Sequence, residues 1–171
     1  MEQLTIISET LKTPFGQLTI LVKQGRTATV VGAGFGTANE LIRRVKATRP
    51  TISVAVGKLP NEIAQAVSNW IAGDHQAFSK VAVDQIGSDF RQECWQAMRQ
   101  IRPGQTISYS QLAQQTSSPT AVRAAATACA QNLIAPLIPC HRIVKTDGSL
   151  GRYGYGEVLK MRLLEFEGVS L

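Results

Sequence analysis

The sequence predicts two folded parts: an α/β part with a small antiparallel sheet and helices, then a mainly helical part with a helix-turn-helix. Runs with the alternating or β-branched pattern of strands concentrate before residue 32. After residue 88, helical periodicity dominates. Neither pattern is kept between Phe78 and Ser88. We therefore place the boundary in this stretch and predict domains of residues 1–84 and 85–171.

The composition indicates a folded protein without a membrane span or a targeting segment. The 171 residues are 44% hydrophobic, which is enough to bury a core in one large or two small domains. No apolar run approaches the roughly 20 residues that cross a bilayer. The start, Met1-Glu2-Gln3-Leu4, lacks the basic and apolar stretches of a signal peptide. We therefore expect a cytoplasmic protein with no membrane association.

The cysteines and histidines indicate free thiols instead of a disulfide or metal framework. Cys94, Cys129 and Cys140 are odd in number and have no Cys-x-x-Cys spacing. His75 and His141 are the two histidines of the sequence, so a structural zinc site is not expected. We therefore predict no metal and no cofactor. A thiol stays available as a nucleophile.

The first part begins with three predicted strands, at residues 4–8, 18–22 and 27–31. The runs Pro14-Phe15-Gly16 and Gln24-Gly25 separate them, as hairpin turns require. Two amphipathic helices are predicted next, at residues 37–47 and 61–72, the second opened by Pro60 and closed by Gly73. We find no catalytic set here, and we expect His75 to be a solvated surface residue.

The second part begins with a predicted helix at residues 89–101, whose apolar face includes Cys94 as a small buried residue. Two further helices are predicted at residues 109–115 and 120–131. Ser117-Ser118 is the expected cap of the last one, and Pro119 its first helical residue. Two helices joined by a short turn are a candidate helix-turn-helix.

The last of these helices is rich in small residues, with six alanines and only Arg123 and Gln131 as long polar side chains. Small side chains allow the backbone to approach closely, which suits the narrow minor groove and binding without sequence preference. Packing of the alanines on neighbouring helices explains most of them equally well. Arg123 is the exception, since a lone long cation on such a face has no local partner.

The charge distribution favours a polyanionic partner. The net charge is +6, and no acidic residue lies between Glu93 and Asp147. Five basic residues fall in that interval: Arg99, Arg102, Arg123, Arg142 and Lys145. Such a stretch does not repel a phosphate backbone. A chance gap on a mildly basic enzyme explains it equally well.

The candidate chemistry lies at Cys140, which follows an apolar run at residues 133–139 and precedes His141. A thiol in an apolar setting is normally inert because its pKa is raised. His141 could act as its base, directly or through a water. A carboxylate behind the imidazole would help, and the final predicted helix, residues 157–167, offers Glu157, Glu165 and Glu167. By itself, a cysteine beside a histidine is a weak pattern.

The surroundings of that pair resemble the O6-alkylguanine-DNA alkyltransferases, in register from about residue 85 to the end. The resemblance rests on spaced motifs: Phe90-x-x-x-Cys94-Trp95, Gly104-x-x-x-Ser108-Tyr109-x-x-Leu112-Ala113, Ala121-x-Arg123-Ala124, Asn132, Pro139-Cys140-His141-Arg142-Ile143-Val144, Gly148, Gly151-x-Tyr153, Gly156, Lys160, Leu163-Leu164 and Glu167. A fainter match extends through residues 14–18.

The resemblance implies an N-terminal α/β domain of ribonuclease-H-like topology and a winged-helix-type DNA-binding domain. It also implies direct-reversal DNA repair. O6-alkylguanine, mainly O6-methylguanine, would be flipped from the duplex and its alkyl group transferred irreversibly to Cys140. The protein would thus be a single-turnover methylated-DNA–[protein]-cysteine S-methyltransferase, with O4-methylthymine left open as a second substrate.

Residue roles follow from the matching positions. The resemblance implies that Cys140 accepts the alkyl group, that His141 activates it through water and that Glu167 orients the imidazole. Asn132 would brace the turn that carries the cysteine, and Tyr109 would hydrogen-bond the guanine and help to turn the nucleotide out.

The resemblance also assigns residues to the contact with DNA. Arg123 would enter the duplex and fill the place of the flipped nucleotide. The other expected DNA contacts are Ala121, Ala124, Thr127 and Tyr109, and the expected base pocket is formed by Ile143, Tyr153, Gly154 and Tyr155. The partner would be double-stranded DNA bound through the minor groove without sequence specificity. We expect a monomer that associates with the nucleoid, with clustering of copies along DNA left open.

Four departures from the family pattern carry expectations. Leu133 replaces a common proline, which predicts a less rigid turn after Asn132. Val122 replaces an alanine and Ala126-Thr127 replaces a glycine pair, which adds bulk to the DNA-facing helix. Tyr155 replaces a glycine found in some relatives, and its ring should narrow the pocket.

Three alternatives stay open at the level of sequence. A non-catalytic relative binds alkylated DNA and recruits other repair factors, but such proteins lack the nucleophile that Cys140 supplies. A winged-helix transcription regulator is a second alternative, although the zinc-binding domain of the bifunctional relatives is not found in these residues. A cysteine hydrolase is the third; it would turn over repeatedly and need no Arg123.

Overall fold

The structure is a computed structural model that describes residues 3–171. The chain divides into two compact units. The first contains the residues up to Ile86 together with residues 133–137, and the second contains residues 87–132 and 138–171. The division thus lies two residues after the predicted boundary. In addition, a short segment from the second half of the sequence belongs to the first unit.

The first unit is a five-stranded sheet with two helices. Its elements, in chain order, are β1 (Thr5–Thr13), β2 (Gly16–Lys23), β3 (Thr29–Gly34), α1 (Ala38–Thr48), β4 (Ser53–Val56), α2 (Asn61–Ile71) and β5 (Ala82–Val83). The three predicted strands and both helices are confirmed. Pro14 and Phe15 form the predicted turn, and Gly16 after it has a φ of +100°, a conformation that favours glycine.

The sheet is mixed, so the prediction of an antiparallel sheet is wrong at its edges. The strand order is β4-β1-β2-β3-β5. The central strands β1, β2 and β3 are antiparallel, as the hairpin turns predict. β4 pairs with β1 and β5 pairs with β3 in parallel, because the chain returns to the sheet through α1 and α2 instead of through tight turns.

One core cluster of the first unit lies between the sheet and α1. Ile6, Leu21 and Val31 pack there with Leu41 and Val45 of the helix. This is the apolar face that the helical spacing predicts. Leu133, from the segment 133–137, completes the same cluster. On α2, Trp70 is buried and its ring lies 5.3 Å from that of Phe78. His75 lies in the turns that lead to Phe78 and is half-buried, so the predicted surface histidine is only partly exposed to solvent.

The second unit is mainly helical. Its elements are α3 (Asp89–Gln100), β6 (Ile107–Ser108), α4 (Tyr109–Gln114), α5 (Val122–Ala130), a 3₁₀ turn (Cys140–Arg142), β7 (Ile143–Val144) and α6 (Glu157–Phe166). α3 buries Cys94, Trp95 and Met98, as predicted. Burial raises the pKa of Cys94 to about 11, which suits a structural thiol. The Trp95 indole donates a hydrogen bond to the Ala128 carbonyl of α5, 2.9 Å away.

The two helices of the predicted helix-turn-helix are present, but the second begins later than predicted. α4 starts with a capping box between Ser108 and Gln111. α5 starts at Val122 without a side-chain cap, so Pro119 is not its first residue. Ser118 instead belongs to a turn, with its N–H bonded to Thr116 Oγ1 and its carbonyl bonded to the Ala121 N–H. Within residues 3–171, no helix is both long enough and apolar enough to span a membrane.

Candidate active site

The candidate nucleophile, Cys140, is the first residue of the 3₁₀ turn and lies on a backbone held by two hydrogen bonds. The Ile138 carbonyl accepts one from the Cys140 N–H (2.9 Å) and one from Asn132 Nδ2 (2.8 Å). One oxygen therefore ties the turn to the end of α5, which is the bracing role that the resemblance implies for Asn132. The side chain of Cys140 is 8% exposed, so the thiol is nearly enclosed.

The surroundings of the Cys140 thiol include groups that raise its pKa and groups that lower it. Burial raises the pKa of Cys140 above its ordinary value. A hydrogen bond with the Asn132 side chain and the positive charge of Lys160 both lower the same pKa and offset part of that increase. The thiol is therefore protonated at neutral pH and needs a base for its chemistry.

His141 is that base candidate, and its ring is oriented by Glu167. His141 is 1% exposed, and its Nε2 lies 2.9 Å from Glu167 Oε1. The other ring nitrogen, Nδ1, is buried and has no hydrogen-bond partner among residues 3–171. A carboxylate accepts the proton of Nε2, which leaves Nδ1 as the unprotonated acceptor. Burial lowers the pKa of His141, although Glu167 opposes this, so the imidazole is neutral at neutral pH.

Glu167 is ionised because its two partners, His141 and Arg142, lower its pKa by more than burial raises it. Burial alone raises the pKa of this carboxyl, but hydrogen bonds and charge from His141 and Arg142 hold it at about 2. Glu167 follows the last residue of α6 as its C-cap. Of the three carboxylates that the sequence offers, Glu157 and Glu165 are exposed and Glu167 is buried. The structure therefore selects one of the alternatives left open by the spacing.

Arg142 was counted among the basic residues that favour a polyanionic partner, but its side chain is buried and paired within the site. Its Nη2 lies 2.7 Å from Glu167 Oε1 and its Nε lies 3.0 Å from Oε2, which is a bidentate pair. Its Nη1 donates to the Ile101 carbonyl at 2.7 Å. Each buried charge thus has a partner, as burial requires. The adjacency of Arg142 to His141 was the available signal, since both side chains leave one short turn.

Lys160 is a second buried cation of the site, and no role was predicted for it from the sequence. It is fully buried on α6, and its ammonium donates to the Ile143 carbonyl (2.6 Å) and the Arg152 carbonyl (3.3 Å). Burial lowers the pKa of Lys160, while the charges of the Cys140 and Cys129 thiolates would raise it. Its spacing from Leu163 and Leu164, on the buried face of α6, is the sequence signal for this burial.

Tyr109, the first residue of α4, carries a phenol that stays protonated. Burial and the nearby charges of Cys129 and Cys140 raise its pKa to about 12. At neutral pH the hydroxyl is therefore a hydrogen-bond donor. Gly151 approaches it closely: its φ is +74°, and a Cβ at this position would lie 3.2 Å from the Tyr109 hydroxyl oxygen. A larger residue there would press on the phenol.

One of the expected base-pocket residues, Tyr153, contacts the imidazole. The Tyr153 ring contacts His141 edge-on (centroids 6.5 Å apart) and Tyr155 in the same manner (5.5 Å). The Tyr153 hydroxyl is buried without a hydrogen-bond partner in residues 3–171. Gly154 is exposed, with open space where a Cβ would be. Ile143 is fully buried, and its carbonyl accepts a hydrogen bond from Lys160.

The expected DNA contacts lie on the outer face of α5. Arg123, Ala124 and Thr127 are exposed, and Ala121 before the helix is half-buried. Ala125 and Ala128 are buried on the opposite face. Some of the alanines therefore pack against the rest of the unit, and others form an exposed surface of small side chains. The Arg123 guanidinium makes no hydrogen bond or ion pair within the described part of the chain.

Metal chemistry has no candidate ligand set here. Among residues 3–171, no group of three or more histidine, cysteine, aspartate or glutamate side chains is arranged to hold a metal ion.

A buried thiol, an imidazole and an ionised carboxylate in the same unit as a helix-turn-helix define a class of protein that combines thiol chemistry with DNA binding. The family profile described as "6-O-methylguanine DNA methyltransferase, DNA binding domain" matches residues 89–169. The methylated-DNA–protein-cysteine methyltransferase of Mycobacterium leprae is 40% identical over 117 residues, which cover 66% of this chain and 70% of that protein.

Two further comparisons agree. The bifunctional transcriptional activator/DNA repair enzyme Ada of Escherichia coli is 49% identical over 85 residues, which are 50% of this chain. The match spans only 24% of Ada, about a quarter of its length. A structure of Mycobacterium tuberculosis OGT in complex with DNA superposes with a TM-score of 0.73 at 28% identity, covering 95% of this chain and 92% of that one. The chain belongs to the methylated-DNA–protein-cysteine methyltransferase family.

Proposed function

We propose that this protein repairs DNA by direct reversal, taking the alkyl group of O6-alkylguanine onto Cys140 in a single irreversible turnover. One observation carries the proposal: the residue after Cys140 is a buried, neutral His141 whose Nε2 is held by an ionised Glu167, which leaves Nδ1 as a proton acceptor. This is the arrangement of a hydrolytic triad with a thiol in the place of the hydroxyl.

The chemistry proceeds in one displacement. His141 Nδ1 takes the thiol proton, directly or through a water, and the Cys140 thiolate attacks the alkyl carbon in line. The bond between that carbon and the guanine oxygen breaks, and its electron pair leaves with the base. The protonated phenol of Tyr109 donates a hydrogen bond to the departing guanine and stabilises its negative charge. The product is a thioether, which has no route back to a thiol.

The proposal includes how DNA is bound. A stacked guanine cannot bring its alkyl carbon to an enclosed thiol, so the nucleotide must be flipped out of the duplex. The smooth outer face of α5 suits approach through the minor groove without sequence preference, and the unpaired cation of Arg123 fills the place of the flipped base. Ile143, Tyr153, Gly154 and Tyr155 border the extruded base, and Ala121, Ala124 and Thr127 contact the duplex.

Several finer expectations belong to the same proposal. The mixed sheet and helices of the first unit fit a ribonuclease-H-like topology, and the helix-turn-helix with the β6–β7 pair fits a winged-helix-type domain. The protein acts as a monomer in the cytoplasm, associated with the nucleoid. Clustering on DNA and repair of O4-methylthymine are additional activities to test with the same protein.

The experiment is to incubate the protein with a duplex that contains one O6-methylguanine, digest it with trypsin and locate the methyl group by fragmentation. Fragmentation is needed because the peptide 124–142 contains both Cys129 and Cys140. The expected result is one methyl on Cys140 per molecule and no turnover. Cys140→Ser should bind the duplex without transfer, and Cys129→Ser, the matched control in the same peptide, should retain transfer. Binding without any transfer by the unaltered protein would support the non-catalytic alternative instead.

A further inference from the structure

The segment 133–137 is bound to the first unit at three backbone positions. The Leu133 N–H donates to the Gln85 side-chain oxygen Oε1, and the Leu133 carbonyl accepts from the Ala33 N–H of β3 at 2.8 Å. The Ala135 N–H donates to the Ala33 carbonyl at 3.1 Å. The Leu133 side chain is buried in the core cluster described above. The segment that follows Asn132 is therefore held by three backbone hydrogen bonds and one buried side chain, while the expectation of a less rigid turn at Leu133 stays a prediction.

Gln85 is itself held in place. It is a buried polar residue, 7% exposed, just after β5. Its neighbour Asp84 donates its N–H to the Val30 carbonyl at 2.9 Å and pairs with Arg49 (3.1 Å) and Lys23 (3.2 Å). The amide of Gln85 is thus a fixed acceptor, and it satisfies an N–H that would otherwise be buried without a partner.

Both ends of the segment lead directly to the candidate nucleophile. Leu133 is bonded to Asn132, whose side chain hydrogen-bonds the Ile138 carbonyl and the Cys140 thiol. At the other end the chain reaches Ile138, whose carbonyl also accepts the Cys140 N–H. A shift of Leu133 would therefore move Asn132 relative to the carbonyl and the thiol to which it bonds.

We propose that Gln85 is a positioning residue for the alkyl transfer: by fixing the Leu133 N–H, it holds Asn132 in register with Ile138 and Cys140. The inference rests on the proposed roles of Asn132 and Cys140. Gln85 acts only through the backbone and touches neither DNA nor the reacting atoms. It therefore affects the reactivity of the thiol and the rate of transfer, and it leaves the affinity for DNA unchanged.

The test compares two substitutions that differ in one property. Gln85→Met keeps the length of the side chain and removes the amide acceptor, whereas Gln85→Glu keeps an acceptor oxygen at the same distance. Gln65→Leu is the matched control, because Gln65 is an exposed glutamine of the same unit that bonds Asn69. For each protein the measurements are the single-turnover transfer rate at saturating DNA, the DNA Kd and the pH dependence of Cys140 alkylation by iodoacetamide.

Gln85→Met should slow transfer by about tenfold to a hundredfold, since small misplacements cost that much in oriented reactions. It should also shift the iodoacetamide profile to higher pH and leave the Kd unchanged. Gln85→Glu should recover most of the rate. If Gln85→Met does not fold, Leu133→Pro removes the same hydrogen bond from the donor side and takes its place in the three measurements.

Two outcomes overturn the inference. One is a transfer rate and pH profile equal to those of the unaltered protein once the acceptor is gone. The other is an equal loss in Gln85→Met and Gln85→Glu, which would mean that the acceptor is not what matters. Failure of the proposed function looks different, because the unaltered protein would then show no methyl group on Cys140.

Discussion

Replacing Glu167 with glutamine changes the carboxylate that joins His141 and Arg142 while keeping its size. Hydrogen bonds and charge from His141 and Arg142 lower the pKa of Glu167 from 4.5 to about 2, so the ionised carboxylate stabilises the folded protein. Breaking a buried ion pair by removing one partner costs about 3–5 kcal/mol. Because the pKa is depressed on folding, this stability is complete above pH 4.5 and is lost as the pH falls towards 2.

For a chain of this length, a loss of about 3 kcal/mol lowers the Tm by about 6–12 °C. The effect on chemistry is separate. A glutamine amide can donate to Nε2 of His141, which would move the ring proton to Nδ1 and remove the base. Loss of a positioned base costs about a hundredfold to ten-thousandfold in rate. We therefore expect Glu167→Gln to be folded at room temperature, less stable and nearly inactive in transfer.

The assays are thermal unfolding at pH 7 and single-turnover methyl transfer from duplex DNA at room temperature. Glu165→Gln is the matched control, since Glu165 is exposed and lies two residues earlier. It should leave both measurements unchanged. A Tm within about 2 °C of the unaltered protein would refute the buried ion pair as a source of stability. A lower Tm with a normal rate would refute Glu167 as the residue that orients His141.

Three further predictions concern the same site. The transfer rate at saturating DNA should fall as acid protonates His141. Because burial lowers the pKa of His141, the midpoint of this fall should lie below pH 6.5. A midpoint above pH 6.5 would contradict a neutral buried imidazole. Tyr109→Phe should slow transfer by roughly a hundredfold or more, measured by single turnover at saturating DNA. An unchanged rate would exclude the phenol as a donor. O6-methylguanine should react far faster than O6-benzylguanine because the Tyr155 ring narrows the pocket. Tyr155→Gly should reduce that difference in rate. Comparable rates for the two substrates in the unaltered protein would rule out a narrowed pocket.

Local patterns were enough to predict the long elements of the fold. The spacing of Leu41 and Val45 predicts α1, and the spacing of Cys94 and Met98 predicts α3, because one face of each helix is buried. The short strands β4 and β5 were not predicted, since pairing at two to four residues depends on a partner far away in sequence. The start of α5 was missed because the serines before it bond within a turn instead of capping the helix.

Some residues of the candidate site could likewise be predicted from the sequence, and others depend on the tertiary fold. Cys140 and His141 are adjacent in sequence, and with Asn132 and Tyr109 they could be named from the resemblance. The pairing of Arg142 with Glu167 could not be predicted, because a buried cation is stable only where the tertiary fold supplies its partners. Helical spacing signals the burial of Lys160 but not the carbonyl groups that hold its charge. Spacing left three carboxylates open behind His141, and burial distinguishes Glu167 from the other two.

The course of residues 133–137 limits how the protein can be cut into pieces. A fragment that starts at Gly87 would include Leu133, Ile134 and Leu137 but not Ala33 or Gln85, which bind that stretch. Its backbone groups would lose their partners, and its buried apolar side chains would face water. Such a fragment should aggregate when expressed alone. We expect residues 1–86, supplied as a second chain, to provide the missing partners in trans.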